Sequence, residues 1–144
     1  MSVEKRAIEI HDSAFDQVTL QDRTAVLHFK KVYIHSSEGS PAVDAGKGWT
    51  QEAVLRIGNA SVEGTFSKES REAYRGYAHY LSDGSFRINN IVSENLIPIP
   101  LDVEGDIELR MECWDDVVCV RGTSAKLELI GAAEYVEEFR PRHD

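Results

Sequence analysis

The sequence predicts an all-β fold: a single antiparallel β-sandwich of roughly eight to ten strands, built from hairpins and a C-terminal meander. Two observations predict it. Apolar residues recur at every second position in several segments, which is the period of a strand with one buried face. Turn-forming residues separate these segments at short intervals. The 144 residues contain no internal repeat and no linker, so we expect one all-β domain over residues 1–144.

A β-barrel is the alternative to the sandwich. The segment 96–101 alternates in character but contains Pro98 and Pro100, which cannot donate hydrogen bonds to a neighbouring strand. Such a segment belongs at an open sheet edge or lies over the sheet as a cover. Because a closed barrel has no open edge, this segment favours the sandwich.

The first 14 residues show no clean periodicity. Residues 7–10 can form a short edge strand, and the polar residues 11–13 that follow are typical of a turn. Because His11, Asp12 and Ser13 are adjacent, they cannot converge as a catalytic triad, whose members come from different elements.

Two longer strands follow over residues 15–20 and 24–35, joined by a turn at 21–23. In the second strand the apolar positions change parity between Phe29 and Val32. This change predicts a β-bulge at 30–31, which returns the apolar residues on both sides to the core. His28, Tyr33 and His35 would then share the other face. The two histidines would lie roughly 20 Å apart along an extended strand, too far to share one metal ion.

Residues 36–48 form the longest expected loop, with three glycines and one proline, and such loops often carry function. The strand 49–57 comes next, and Gly58 and Asn59 predict a tight hairpin turn that pairs Ile57 with Ala60 and Leu55 with Val62. The segment 67–76 is the one candidate for a helical turn.

The C-terminal half predicts a hairpin around Asp83 and Gly84, and then the meander. The length of the turn at Asp83 and Gly84 decides whether the His79 side chain points towards the core or away from it, and the sequence leaves this length open. In the meander, strands 107–114, 117–122 and 125–130 are joined by turns at 115–116 and 123–124. This register pairs Cys113 with Val118 and Met111 with Val120, apolar opposite apolar. Residues 135–139 form the last strand.

Composition limits the classes of function. The chain lacks an apolar run long enough to span a membrane, and its charged N-terminus does not resemble a signal peptide, so we expect a cytoplasmic protein. Cys113 and Cys119 should face opposite sides of the sheet and remain reduced. Two cysteines do not complete a four-ligand zinc pattern, and no metal, cofactor or catalytic residue is predicted.

The net charge of −9 is uneven: residues 102–144 hold 12 acidic and 5 basic side chains. This acidic surface argues against nucleic acid and anionic membranes as partners, and it suits a basic protein. A solvated face that maintains solubility explains the same charge.

Three places carry candidate binding residues. An aromatic residue with a nearby amide at the end of the long loop suggests a pocket, an outward tryptophan in an acidic hairpin tip suggests a protein contact, and the polar face of the second long strand suggests a concavity. The candidates are Trp49 and Gln51 at the end of the loop, Trp114, Asp115 and Asp116 at the hairpin tip, and Tyr33 and His35 on the polar face of the strand. Ordinary structural roles explain each of them too: Trp49 as the rim of the core, Trp114 under a covering layer, and Tyr33 and His35 on a solvated face.

The segment 10–13 with the strands after it, and the closing pattern from Ile107 through Gly122 to 135–137, resemble small uncharacterised bacterial all-β proteins, some of them toxin-immunity-like. This resemblance implies no catalytic residues. The leading hypothesis is a non-enzymatic interaction protein that binds a protein partner or itself as a homo-oligomer. The rival is a small-ligand- or metal-binding protein, or an enzyme, with a pocket near the 36–49 loop.

Overall fold

The computed structural model describes residues 5–38, 45–67 and 78–139. Ten strands lie in one antiparallel sheet, which curls into a half-barrel. The strands are β1 Lys5–Gln21, β2 Thr24–Ser37, β3 Gly46–Gly58, β4 Ser61–Glu63, β5 His79–Tyr80, β6 Asp83–Ile88, β7 Ile91–Glu94, β8 Leu96–Ile99, β9 Asp102–Cys113 and β10 Asp116–Phe139.

The sheet order is β5-β1-β2-β3-β10-β9-β6-β7, with β4 paired to β10 and β8 paired to β1. The all-β prediction is confirmed. The two-sheet sandwich is not confirmed, because every strand belongs to the same curled sheet, and the barrel alternative fits. The described part of the chain holds no helix of the length and apolarity needed to cross a membrane. The helical turn expected at 67–76 lies, apart from Ser67, outside the described residues.

The concave side of the sheet is filled by apolar side chains from seven strands. The bulge in β2 is confirmed, since its pairing with β3 shifts between Phe29 and Val32. The core members are Ile8, Ile10, Phe15, Ala25, Leu27, Phe29, Val32, Ile34, Ala53, Leu55, Ile57, Leu81, Phe86, Ile97, Leu101, Ile107, Leu109, Met111, Cys113, Val118, Val120 and Ala125.

Strand β1 runs through the segment where the sequence predicted a turn. Its register with β2 shifts between Glu9 and Ala14, and Asp12 adopts a φ of 76°. The bulge leaves two backbone groups without strand partners, and the fully buried Ser13 satisfies both: its hydroxyl donates to the carbonyl of Glu9 at 2.7 Å and accepts from the N–H of Tyr33 at 3.1 Å. Residues 11–13 are therefore a bulge inside a strand. The turn expected after this strand, at Asp22 and Arg23, is confirmed, with φ of 49° and 67°.

The predicted hairpin at Gly58 and Asn59 is wrong. β3 pairs with β2 on one side and with β10 on the other, so it has no free edge for β4. The chain keeps its direction past Asn59, and β4 takes the next place along β10, with Val62 opposite Val120.

The predicted three-stranded meander is confirmed only in the antiparallel pairing of its first two strands, and its register and its third strand are wrong. The turn falls at Trp114 and Asp115, so Cys113 pairs with Asp116 and Met111 with Val118. This register differs from the predicted one by two residues, which leaves every side chain on the same face. No turn interrupts β10 at 123–124: its first part pairs with β9, and from residue 124 onward it pairs with β3.

The predicted hairpin around Asp83 and Gly84 is replaced by two separate pairings. β5 pairs with β1, while β6 pairs with β9 and β7, and the reversal lies between β6 and β7. His79 is buried, with its ring centroid 5.2 Å from that of Phe66 and 6.5 Å from that of Phe15.

The Ser13 hydroxyl yields the first prediction. Replacing Ser13 with Ala removes both hydrogen bonds of the bulge and leaves a buried carbonyl and a buried N–H unsatisfied, so the free energy of unfolding should fall by about 1–3 kcal/mol. Urea denaturation measures this. Ser61→Ala, at an exposed serine of β4, is the matched control and should change little. Equal effects of the two substitutions would contradict this role of Ser13.

Candidate functional site

An open pocket of about 360 Å³ lies at one end of the concave side, lined by Arg6, Ile34, Trp49 and Ala133. Alternation in β1 places Arg6 on the same side as the buried Ile8 and Ile10. Cross-strand pairing brings residues of three further strands together, because Trp49 on β3 lies opposite Ile34 on β2 and opposite Tyr135 on β10. Residues from four distant parts of the sequence therefore meet in one pocket.

Trp49, which follows the long loop, forms the aromatic wall of this pocket. Its ring is half-buried, its indole N–H donates to the hydroxyl of Ser36 at 3.2 Å, and the ring of Tyr135 meets it edge-on at 5.2 Å between centroids. Tyr135 is 51% exposed. The indole is thus held in one orientation while part of the aromatic pair stays open to solvent.

Arg6 supplies positive charge at the pocket. The residue is exposed, and it forms no ion pair with the residues that the structure describes. Sequence reasoning missed Arg6 and Tyr135. The signal for Arg6 was present, since a charged residue at an inward position of an otherwise apolar strand is unusual, but the bulge at 10–13 hid the alternation.

Gln51, the other candidate binding residue of this region, faces the same side of the sheet as Trp49, but its side chain already forms a hydrogen bond within the protein. Its side-chain N–H donates to the carbonyl of Gly131 at 2.7 Å. Gly131 lies where the register between β10 and β3 shifts, between Ile130 and Glu134. Gln51 therefore stabilises the bulge of β10.

Tyr33 and His35 do not lie on a solvated face, contrary to expectation. His35 is fully buried and Tyr33 is 8% exposed. Gly46 and Gly48 allow this, because a Cβ on Gly48 would collide with the Tyr33 ring, and one on Gly46 would meet Ser36 and His35. Burial lowers the pKa of His35, so its imidazole is neutral at pH 7.

The Tyr33 hydroxyl donates to the Glu137 carboxylate at 3.0 Å. Burial, and then this carboxylate, raise the pKa of Tyr33 well above its ordinary value. The phenol therefore stays protonated and fixes the far end of β10 against β2.

A second group of polar side chains lies on the outer side of β1, where no site was predicted. The carboxylates of Glu9 and Asp12 and a ring nitrogen of His11 all lie within 4.8 Å of one another. Burial raises the pKa of Glu9. The segment was interpreted as a turn, and the bulge is what makes neighbouring residues converge.

His28 lies on the outer side of β2 between two carboxylates. Its Nδ1 is 2.8 Å from Asp16 and its Nε2 is 2.7 Å from Glu52. Both ring nitrogens donate only in the imidazolium form. Partial burial opposes this charge, but the hydrogen bonds to Glu52 and Asp16 together outweigh it and raise the pKa of His28.

The residues of the acidic hairpin tip differ in their contacts. Trp114 is 58% exposed and adopts a φ of 57°, and Asp115 beside it is exposed. Asp116 instead accepts a hydrogen bond from the backbone N–H of Ser67 at 2.7 Å, and this bond lowers its pKa. Asp116 therefore holds the segment after β4 against the hairpin.

Comparison with protein-family models, with curated protein sequences and with solved structures finds no match to this chain. The geometry of its own residues is therefore what indicates a function.

The raised pKa of His28 predicts how stability depends on pH. A folded-state pKa above the unfolded value of about 6.5 stabilises the fold below that value, and this stabilisation disappears as the pH rises through the folded pKa. At about pH 5.5 the wild type should exceed His28→Gln in unfolding free energy by roughly 1 kcal/mol. At about pH 9 the difference should shrink towards zero, since the imidazole is neutral there.

Urea denaturation at both pH values checks this. Gln keeps the length and donor capacity of the side chain but not the charge, so it isolates the titration. A difference that is the same at both pH values would exclude the charged pairing.

Proposed function

We propose that the protein is a non-enzymatic binding protein that takes up a small molecule with an aromatic or apolar body and one anionic group. The Arg6 guanidinium beside the Trp49–Tyr135 pair is the observation that carries this proposal. A guanidinium pairs with carboxylate, sulfonate or phosphate oxygens in a fixed geometry. The aromatic wall offers the apolar contact that concave ligand sites commonly use.

The size of the pocket limits the ligand. A volume of about 360 Å³ lies at the lower end of the range of small-molecule sites, which is about 300–1,000 Å³. This suits a molecule of one or two rings. The described lining supplies one cation, one aromatic ring and aliphatic surface, which are recognition groups. The hydroxyl of Ser36 already accepts a hydrogen bond from the indole of Trp49.

This proposal predicts which substitutions weaken binding. The probe is 8-anilinonaphthalene-1-sulfonate, whose fluorescence increases when its aromatic body enters an apolar site beside a cation. Replacing Arg6 with Gln should weaken its binding about tenfold, equivalent to about 1.4 kcal/mol, because the sulfonate loses its partner. Fluorescence titration gives the dissociation constants.

Arg56→Gln is the matched control, because it removes the same charge from an exposed arginine of β3 whose nearest carboxylate, Glu128, is 3.9 Å away. It should leave the dissociation constant unchanged. Trp49→Leu tests the aromatic wall and should also weaken binding. If both Arg6→Gln and Trp49→Leu bind the probe like the wild type, the pocket is not the site.

A second candidate function is protein–protein interaction through the β9–β10 hairpin tip. The exposed Trp114 favours it, because an outward indole beside Asp115 offers apolar contact and negative charge together. One form is self-association into a homo-oligomer, and another is the neutralisation of a basic protein, as the resemblance to immunity-like bacterial proteins implies. A cytoplasmic location is part of both candidate functions, the small-molecule site and the protein contact. The buried Cys113 and the outward Cys119 suit it, because they face opposite sides of the sheet and cannot form a disulfide.

Self-association through the tip is measurable without knowing a partner. In sedimentation velocity over a wide concentration range, Trp114→Ser should shift the protein towards monomer, because the apolar contact is lost. Leu20→Ser, at another exposed apolar residue (60% exposed), is the control and should sediment like the wild type. A wild-type protein that stays monomeric throughout would exclude self-association through this tip.

A further inference from the structure

The outer cluster on β1, defined as Glu9, His11 and Asp12, has the composition of a metal site. Its three potential ligand atoms lie within 4.8 Å of one another, a spacing that one ion can bridge. Two carboxylates and one imidazole are a ligand set that Mn²⁺ and Zn²⁺ accept. The cluster lies on the opposite side of the sheet from the pocket of Arg6 and Trp49, so it is independent of the function proposed above.

Glu9 distinguishes this cluster from an ordinary group of surface acids. The residue is only 7% exposed, and its carboxylate forms no hydrogen bond or ion pair with any residue that the structure describes. His11 of the cluster partly offsets the charge of this carboxylate, whereas Asp12 of the cluster and Glu137 on β10 add negative charge near it. Burial opposes the charged form of a carboxylate, and a cation bound to Glu9 would offset that effect.

The backbone explains why the three side chains converge. Glu9 and His11 share the outer face by alternation. In a regular strand Asp12 would point to the core, but its φ of 76° turns it outward, and its carboxylate lies 3.2 Å from Nε2 of His11. Bulges commonly redirect a side chain in this way next to functional sites.

Asn95 holds the third ligand in place. Its side-chain oxygen accepts from the backbone N–H of His11 at 2.7 Å, and its side-chain nitrogen lies 2.6 Å from Nδ1 of the same residue. In this arrangement Nδ1 accepts and Nε2 carries the proton. Coordination through Nε2 moves the proton to Nδ1, so the contact between Nδ1 and the amide nitrogen of Asn95 must open when metal binds.

We propose that Glu9, His11 and Asp12 bind one divalent metal ion of the Mn²⁺ or Zn²⁺ type, with water at the remaining coordination positions. The buried carboxylate of Glu9 is the central ligand. Asp12 and His11 complete the protein ligands from the exposed side, so the ion can enter directly from solvent.

Isothermal titration calorimetry with MnCl₂ and with ZnCl₂ tests this on the full chain, stripped of metal with a chelator and then desalted. One ion per chain should bind to the wild type. Glu9→Gln and His11→Gln should each weaken binding at least tenfold. Glu128→Gln, at an exposed carboxylate of β10, is the control and should bind like the wild type.

Thermal unfolding separates loss of the site from loss of the fold. Without metal, Glu9→Gln should unfold at the same temperature as the wild type or higher, because the substitution removes a buried charge. Added metal should raise the unfolding temperature of the wild type but not that of this variant. Absence of binding to the wild type, or equal binding to wild type, Glu9→Gln and His11→Gln, would overturn the proposal.

Asn95→Asp tests the role of His11 separately. A carboxylate at this position can accept from the backbone N–H and from a protonated Nδ1 together, which favours the form of the ring that coordinates metal through Nε2. This variant should bind metal more tightly than the wild type, and more tightly than Asn90→Asp, which adds the same charge at an exposed residue of the β6–β7 turn. Unchanged or weaker binding in a folded Asn95→Asp variant would contradict coordination by His11.

Discussion

Hydrogen bonds through Asn95 join β1 to β6, two strands that are distant in the sheet order. Its carbonyl accepts from the N–H of Ile10 at 2.8 Å, and its own N–H donates to the carbonyl of Gly84 at 2.9 Å. Asn95 adopts a φ of 62°, a conformation that asparagine tolerates better than most residues. Gly84 lets the two strands approach, because a Cβ there would meet the Ile10 side chain and the Arg110 carbonyl. Together with the pairing of β8 with β1, this connection joins distant parts of the curled sheet around the apolar core.

A row of bulges crosses the sheet at the level of Gln51 on β3. The bulge of β1 at 10–13 lies beside the bulge of β2 at 30–31, and the bulge of β10 at 131–133 lies on the far side of β3. Since each bulge bends its strand and shifts the alternation of its side chains, the row separates two regions of the sheet. Most of the apolar core lies on one side of it, and the open pocket with Trp49 lies on the other. The outer cluster of Glu9, His11 and Asp12 is formed by the same row.

Sequence patterns predicted which residues face the core but not which strands are neighbours. The switch of apolar residues from odd to even positions between Phe29 and Val32 predicted the bulge of β2 correctly. Burial alone decides which positions along a strand are apolar, so this signal does not depend on the strand order. The strand partners and register predicted for Val62 and for residues 117–130 differ from those observed. The sequence could not decide them, because a two-residue slip or a change of partner leaves every apolar residue on the same face. Trp49 could be proposed as a pocket residue from its place after the loop. Arg6 and Tyr135 could not be joined to it, since only the strand order brings them together. The outer cluster was missed because adjacent residues do not converge in a regular strand.

Alternation along β1 also explains how one strand serves two regions of opposite charge. Arg6 is on the inner side with Ile8 and Ile10, and Glu9 is on the outer side with His11. A guanidinium on the same face as Glu9 and Asp12 would pair with them, and neither the pocket nor the cluster would keep a charge for a ligand. The sheet backbone between the two faces prevents that contact. The net charge of −9 therefore describes the protein as a whole, whereas each site takes its charge from the one or two side chains that the strand presents on that face.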